Sequence, residues 1–150
     1  MSNGNRQRLH RDILEDLESE GKTLEVVLLA WSIVEMHSTN VLVRSYGLST
    51  QNSESRGVIK LPVTEKLRRL REMGLLSKDD FNILQQFKEE RNDLFHMGGL
   101  FFPNYSEEQK SRLTDMAIVA ADVTHDMAEQ ALSLPSPYVQ SNGRSGPKGL

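Results

Sequence analysis

Arg91, Asn92 and His96 stand within six residues, just before Gly98-Gly99. An arginine offers a permanently charged planar fork that fits a phosphate. A histidine gives and takes protons near neutrality. An amide can position a substrate. Together these are the groups that cleavage of RNA by its own 2′-hydroxyl needs, with no metal ion. That reaction requires a proton acceptor, a proton donor and cationic stabilisation of the phosphorane. One histidine per chain supplies one proton-transfer group. Two copies of the chain meeting at a two-fold axis would supply two histidines and two arginines to one cleft.

The helix bearing these residues predicts where each points. At about 100° per residue, Arg91 falls within the apolar stripe of Leu84, Phe87, Leu94 and Phe95. An arginine there needs a partner or a wet cleft. Glu35 or Glu89 could provide the carboxylate of an ordinary ion pair, and Glu35 could equally orient the arginine or tune His96. Asn92 and His96 share a face at the stripe's edge. Arg91 and His96 diverge by roughly 140° on an ideal helix. His96 also suits a helix C-terminus for structural reasons alone. His37 reads as a packed or interface residue, and His10 and His125 as structural. The four histidines show no metal-ligand spacing, so no metal and no cofactor is expected. Lys66, Arg68, Arg69 and Arg71 form the densest basic segment. They read as a solvated face balanced by Glu65 and Glu72, or as a weak RNA-phosphate contact.

The elements that must carry these residues are helical throughout. Leu9, Ile13 and Leu17, with Leu14 alongside, predict a helix over Arg6 to Glu20, which Gly21 ends as a left-handed cap. Thr23 is expected to cap a helix from Leu24 to about Tyr46. That helix is apolar around most of its circumference, which suits the middle of a bundle. A polar, mobile loop is expected from Ser49 to Arg56, within a longer connection reaching Lys60. Val63, Leu67, Leu70 and Met73 mark a short helix. Ser77 to Asp80 resembles a capping box for a helix reaching about Met97. Ser106 to Gln109 is a full capping box for a last helix reaching about Leu132. The sequence thus predicts an all-α domain over residues 1–134. Its expected arrangement is an antiparallel four-helix bundle with one additional short helix, followed by a disordered tail over 135–150.

With 150 residues, 37% hydrophobic and 26% charged, the chain has the composition of one soluble domain. A net charge of −3 argues against a surface that binds nucleic acid everywhere. The absence of cysteine excludes disulfides and thiolate metal sites. No uninterrupted apolar run approaches the ~20 residues of a membrane span, and the first residues lack a signal peptide's apolar core. The expectation is a cytoplasmic protein with no membrane partner.

Arg91, Asn92 and His96 before a glycine-rich break, Glu35 in the long preceding helix, and a final amphipathic helix together resemble the HEPN domain family. The resemblance covers roughly Thr23 to Leu132. It implies an all-α fold and a metal-independent endoribonuclease, often a toxin or defence effector restrained by an antitoxin or regulatory protein. It also implies a homodimer with Arg91 and His96 at the shared cleft. On this resemblance Arg91 holds the scissile phosphate, His96 transfers the proton, Asn92 positions the RNA, and Glu35 supports them. Gly98 stands where some toxin members carry a tyrosine two residues after the histidine. The Gly21-Lys22-Thr23 helix start and the Leu75 to Asp79 turn also resemble the mannitol operon repressor family, whose members act through protein contacts. That resemblance implies instead a non-catalytic dimerisation or protein-binding module.

Overall fold

The structure is a computed structural model that describes residues 3–99 and 102–133; the expected tail over 135–150 lies outside them. All regular structure among the described residues is helical. The helices are α1 (Asn3–Ser19), α2 (Thr23–Ser45), α3 (Arg56–Ile59), α4 (Val63–Glu72), α5 (Lys78–Leu94) and α6 (Glu107–Ser133). Short 3-10 turns cover Ser53–Ser55, His96–Gly99 and Phe102–Asn104.

Helix α2 is the element the others pack against. Its main partner is α6, and α1, α3 and α4 also lie against it, while α5 packs on α4 and α6. Its buried residues Val26, Val27, Ala30, Val34, Val41 and Leu42 meet Leu67, Leu84, Phe87, Leu113 and Ala117 in a single core. Alanines at 117, 120, 121 and 128 are buried along α6. Small side chains there let α6 approach α2 closely, since interaxial distance is set by the side chains at the contact. By length and apolarity α2 could cross a membrane, unlike what run length alone predicts; half of that stretch is buried in this core, while Leu28 and Met36 are exposed.

Local chemistry sets most of the boundaries. Gly21 has φ +72°, and the Lys22 N–H closes back on the Leu17 carbonyl at 2.9 Å. This is the expected left-handed end of α1, a conformation in which any Cβ is strained. Ser77 Oγ accepts the Asp80 N–H at 3.1 Å. The Ser106 capping box is complete, with Ser106 Oγ accepting the Gln109 N–H and Gln109 Oε1 accepting the Ser106 N–H.

Four local expectations are corrected. Thr23 lies inside α2 and makes no side-chain cap. The buried face of α1 centres on Leu14, while Ile13 is 41% exposed, so the apolar stripe turns by one position. Helix α5 stops at Leu94 and passes into the 3-10 turn that begins with His96. The stretch from Ser49 to Arg56 is a folded turn. Asn52 Oδ1 accepts the Glu54 N–H, Ser55 Oγ donates to the Asn52 carbonyl, and Ser55 and Val58 are fully buried. Polar side chains satisfying their own backbone made this segment look unpatterned.

Candidate functional site

Arg91 lies near the end of α5, on the side facing α2. Its guanidinium carbon sits 4.7 Å from the centre of the Trp31 ring and 5.6 Å from that of Phe95. Trp31 in turn meets Phe87 edge to face at 5.9 Å between centroids. Arginine is the cation that tolerates such a site, being planar and weakly hydrated. Arg91 Nη1 donates to Asn92 Oδ1 at 3.1 Å, and Nε is buried with no acceptor. Among the described residues no carboxylate lies within ion-pair distance of Arg91. The positive charge is therefore positioned by stacking and an amide without being neutralised.

Glu35 does not take the place expected for it beside Arg91. It is exposed on α2, and its charge acts on Lys66, opposing the lowering of that lysine's pKa by burial. His96 is exposed at the start of the 3-10 turn. The ideal-helix angle between Arg91 and His96 no longer applies, because α-helical geometry ends between them. Asn92 is exposed beside Arg91.

The basic segment on α4 is divided among internal partners. Lys66 is only 1% exposed and donates from Nζ to Thr39 Oγ1 and to the Ile59 carbonyl, each at 2.8 Å. This burial corrects its reading as a residue that could reach RNA phosphates. Arg68 pairs with Glu65 and Glu72. Arg69 pairs with Glu65 at 3.1 Å and donates to the Tyr46 hydroxyl at 3.0 Å. Arg71 lies over Phe81 at 5.4 Å. Hydrogen bonds from Arg68 and Arg69 draw the Glu65 carboxyl down to about 2.

Sequence reasoning missed a second cluster. His10, His37 and His125 come from α1, α2 and α6 and pack ring against ring. Burial, followed by repulsion from His125 and His10, pushes His37 down to about 4, so it stays neutral at physiological pH. No two of these histidines are close in sequence, so no spacing rule could have joined them.

Comparison with family models, with curated proteins and with solved structures finds no match to this chain.

Proposed function

We propose that the chain is a HEPN-type, metal-independent endoribonuclease of the cytoplasm that cleaves RNA at a site shared by two copies. The observation that carries this reading is Arg91, an arginine held against Trp31 and Phe95 with no carboxylate among the described residues to neutralise it. Such a cation favours an anion with the geometry of a phosphate. His96 and Asn92 are exposed on the same short segment. In this reading α1, α2, α5 and α6 form an antiparallel four-helix bundle, with the end of α5 at its rim.

The chemistry follows from two copies of that segment. The RNA 2′-oxygen attacks the adjacent phosphorus as His96 of one copy takes its proton. The bond from phosphorus to the 5′-oxygen breaks, and the second copy's histidine protonates the leaving oxygen. The products are a 2′,3′-cyclic phosphate and a 5′-hydroxyl. Arg91 stabilises the charge that builds on the phosphoryl oxygens. An enzyme of this kind fits the role of a toxin or defence effector, held in check by an antitoxin or other regulatory protein.

One observation favours the second reading, a non-catalytic dimerisation or protein-binding module. Lys66, Arg68, Arg69 and Arg71 are occupied by contacts within the chain, which leaves little free positive surface on α4 for RNA. The deciding experiment is cleavage of total RNA by purified wild type and His96→Ala in EDTA, with the product ends identified. Wild-type cleavage leaving 2′,3′-cyclic phosphates, lost in His96→Ala, supports the nuclease. Equal activity in both proteins, or none in either from folded protein, favours the binding module.

A further inference from the structure

His10, His37 and His125 form a site that the ribonuclease reading does not use. One ring nitrogen from each lies within 4.8 Å of those from the other two. The ring centroids are 6.3, 6.2 and 5.3 Å apart, and the ring planes cross at 66°, 85° and 76°. His10 Nδ1, His37 Nε2 and His125 Nδ1 are buried without a hydrogen-bond partner, while His125 Nε2 faces Glu129 Oε1 at 3.2 Å. One orphaned buried nitrogen is already costly. Three in one place, one from each histidine, point to a shared ligand that accepts lone pairs.

Glu129 supplies a neighbouring carboxylate. It lies one helical turn beyond His125, and its buried Oε1 sits 3.2 Å from His125 Nε2. A histidine bound to a metal through one nitrogen commonly gives the N–H of its other nitrogen to a carboxylate. Glu129 is placed to do this for His125, leaving Nδ1 for the ion. The three rings, Met36, Asn40 and Glu129 line an open cavity of about 400 Å³. That leaves room for water or a small anion as a further ligand.

We propose that His10, His37 and His125 bind one divalent transition-metal ion of the zinc class, with Glu129 orienting His125 and one coordination position open to an exogenous ligand. Three imidazoles with an open fourth position match the donor set of open tetrahedral zinc sites. Metal–nitrogen bonds of about 2.0–2.1 Å would bring nitrogens now up to 4.8 Å apart to about 3.3 Å in tetrahedral geometry. The ion would tie α1 to α2 and α6. On α2, His37 and Trp31 are six residues apart and face about 120° away from each other, so the metal site and Arg91 occupy different sides of one helix.

The test is zinc titration of the full chain after chelator treatment, read by calorimetry and by the thermal midpoint, with cobalt absorption reporting coordination geometry. The expected result is one equivalent per chain, a midpoint that rises with zinc, and a tetrahedral cobalt spectrum. His37→Ala and His125→Ala should abolish binding. His10→Gln, at a position less buried than His125, should do so in a protein whose circular dichroism matches wild type. Glu129→Gln should weaken binding about 10–100-fold. His96→Ala should bind zinc as wild type does, so this result and RNA cleavage stand or fall separately. The proposal is overturned if wild type shows no saturable binding, if all three histidine variants retain it, or if His96→Ala loses it.

Discussion

Arg91 and Lys66 show two ways of keeping a cation on a helix face that packs against apolar neighbours. Arg91 lays its guanidinium over Trp31, and the stack holds the charge where a phosphate could meet it. A cation–π contact contributes about 0.5–2 kcal/mol. If that energy holds Arg91 in its working position, Trp31→Leu should lower kcat/KM for RNA by roughly 2–30-fold without unfolding the protein. Arg91→Lys should lose far more, because an ammonium cannot reproduce the planar fork. Steady-state cleavage of a short fluorescent RNA measures both, and a Trp31→Leu variant as active as wild type would remove the stack from the mechanism. Lys66 is the opposite case, with its stem in the core and its charge spent on the Ile59 carbonyl at the end of α3. Lys66→Ala should cost about 2–4 kcal/mol, since it opens a cavity and strands that carbonyl. Lys66→Met keeps most of the volume and removes a desolvated charge, so urea unfolding should show a smaller loss.

At the scale of the helix, caps and paired charges give the next measurable effects. Ser106→Ala removes the Oγ that accepts the Gln109 N–H at the start of α6 and leaves the bond from the Ser106 N–H to Gln109 Oε1 in place. The expected cost is about 1 kcal/mol, or roughly 2–4 °C in the thermal midpoint. On α4, Glu65 is held down to about 2 by Arg68 and Arg69, below its ordinary value near 4.5. A carboxyl whose folded pKa is depressed binds fewer protons folded than unfolded in that window. Its contribution is complete above about pH 4.5 and is lost as pH falls towards 2. The stability difference between wild type and Glu65→Gln should therefore shrink between pH 5 and pH 3 in parallel thermal melts. These elements also explain what was legible in the chain. Gly21, Ser77 and Ser106 act on residues two to four positions away, so their chemistry is visible as spacing. The central place of α2 was visible because a helix apolar on most sides has to be surrounded. Arg91, Asn92 and His96 were legible as a cluster for the same local reason. The contact of Arg91 with Trp31, the burial of Lys66 within a basic run, and the meeting of His10, His37 and His125 depend on which helix lies against which. Periodicity within one helix carries no such information.

Across the whole molecule, α2 is where the proposals meet. One side of it packs on α6, Trp31 supports Arg91, and His37 joins the histidine cluster. Leu28 and Met36, two turns apart on α2, are 48% and 43% exposed, and Ser32 is exposed between them. A stripe of this kind is poorly used by a monomer and suits a two-fold contact, where the same patch serves both copies. If the nuclease site is shared across that contact, Leu28→Glu together with Met36→Glu should convert dimer to monomer and remove cleavage in parallel. Sedimentation and RNA cleavage on the same samples measure the two effects. A stricter test mixes two inactive proteins. On the proposed mechanism Arg91→Ala would lack the phosphate-binding cation and His96→Ala the proton-transfer group, so each alone should be inactive. In a mixed dimer one wild-type arginine and one wild-type histidine remain in the shared cleft. Cleavage should reappear on mixing after subunit exchange, well below the wild-type rate, because one proton-transfer group is still missing. If the site instead lay wholly within one chain, each half of the mixed dimer would still lack an essential group and no activity would return. Recovery on mixing therefore requires the two-copy cleft, and its absence in a demonstrated heterodimer would confine the chemistry to a single chain.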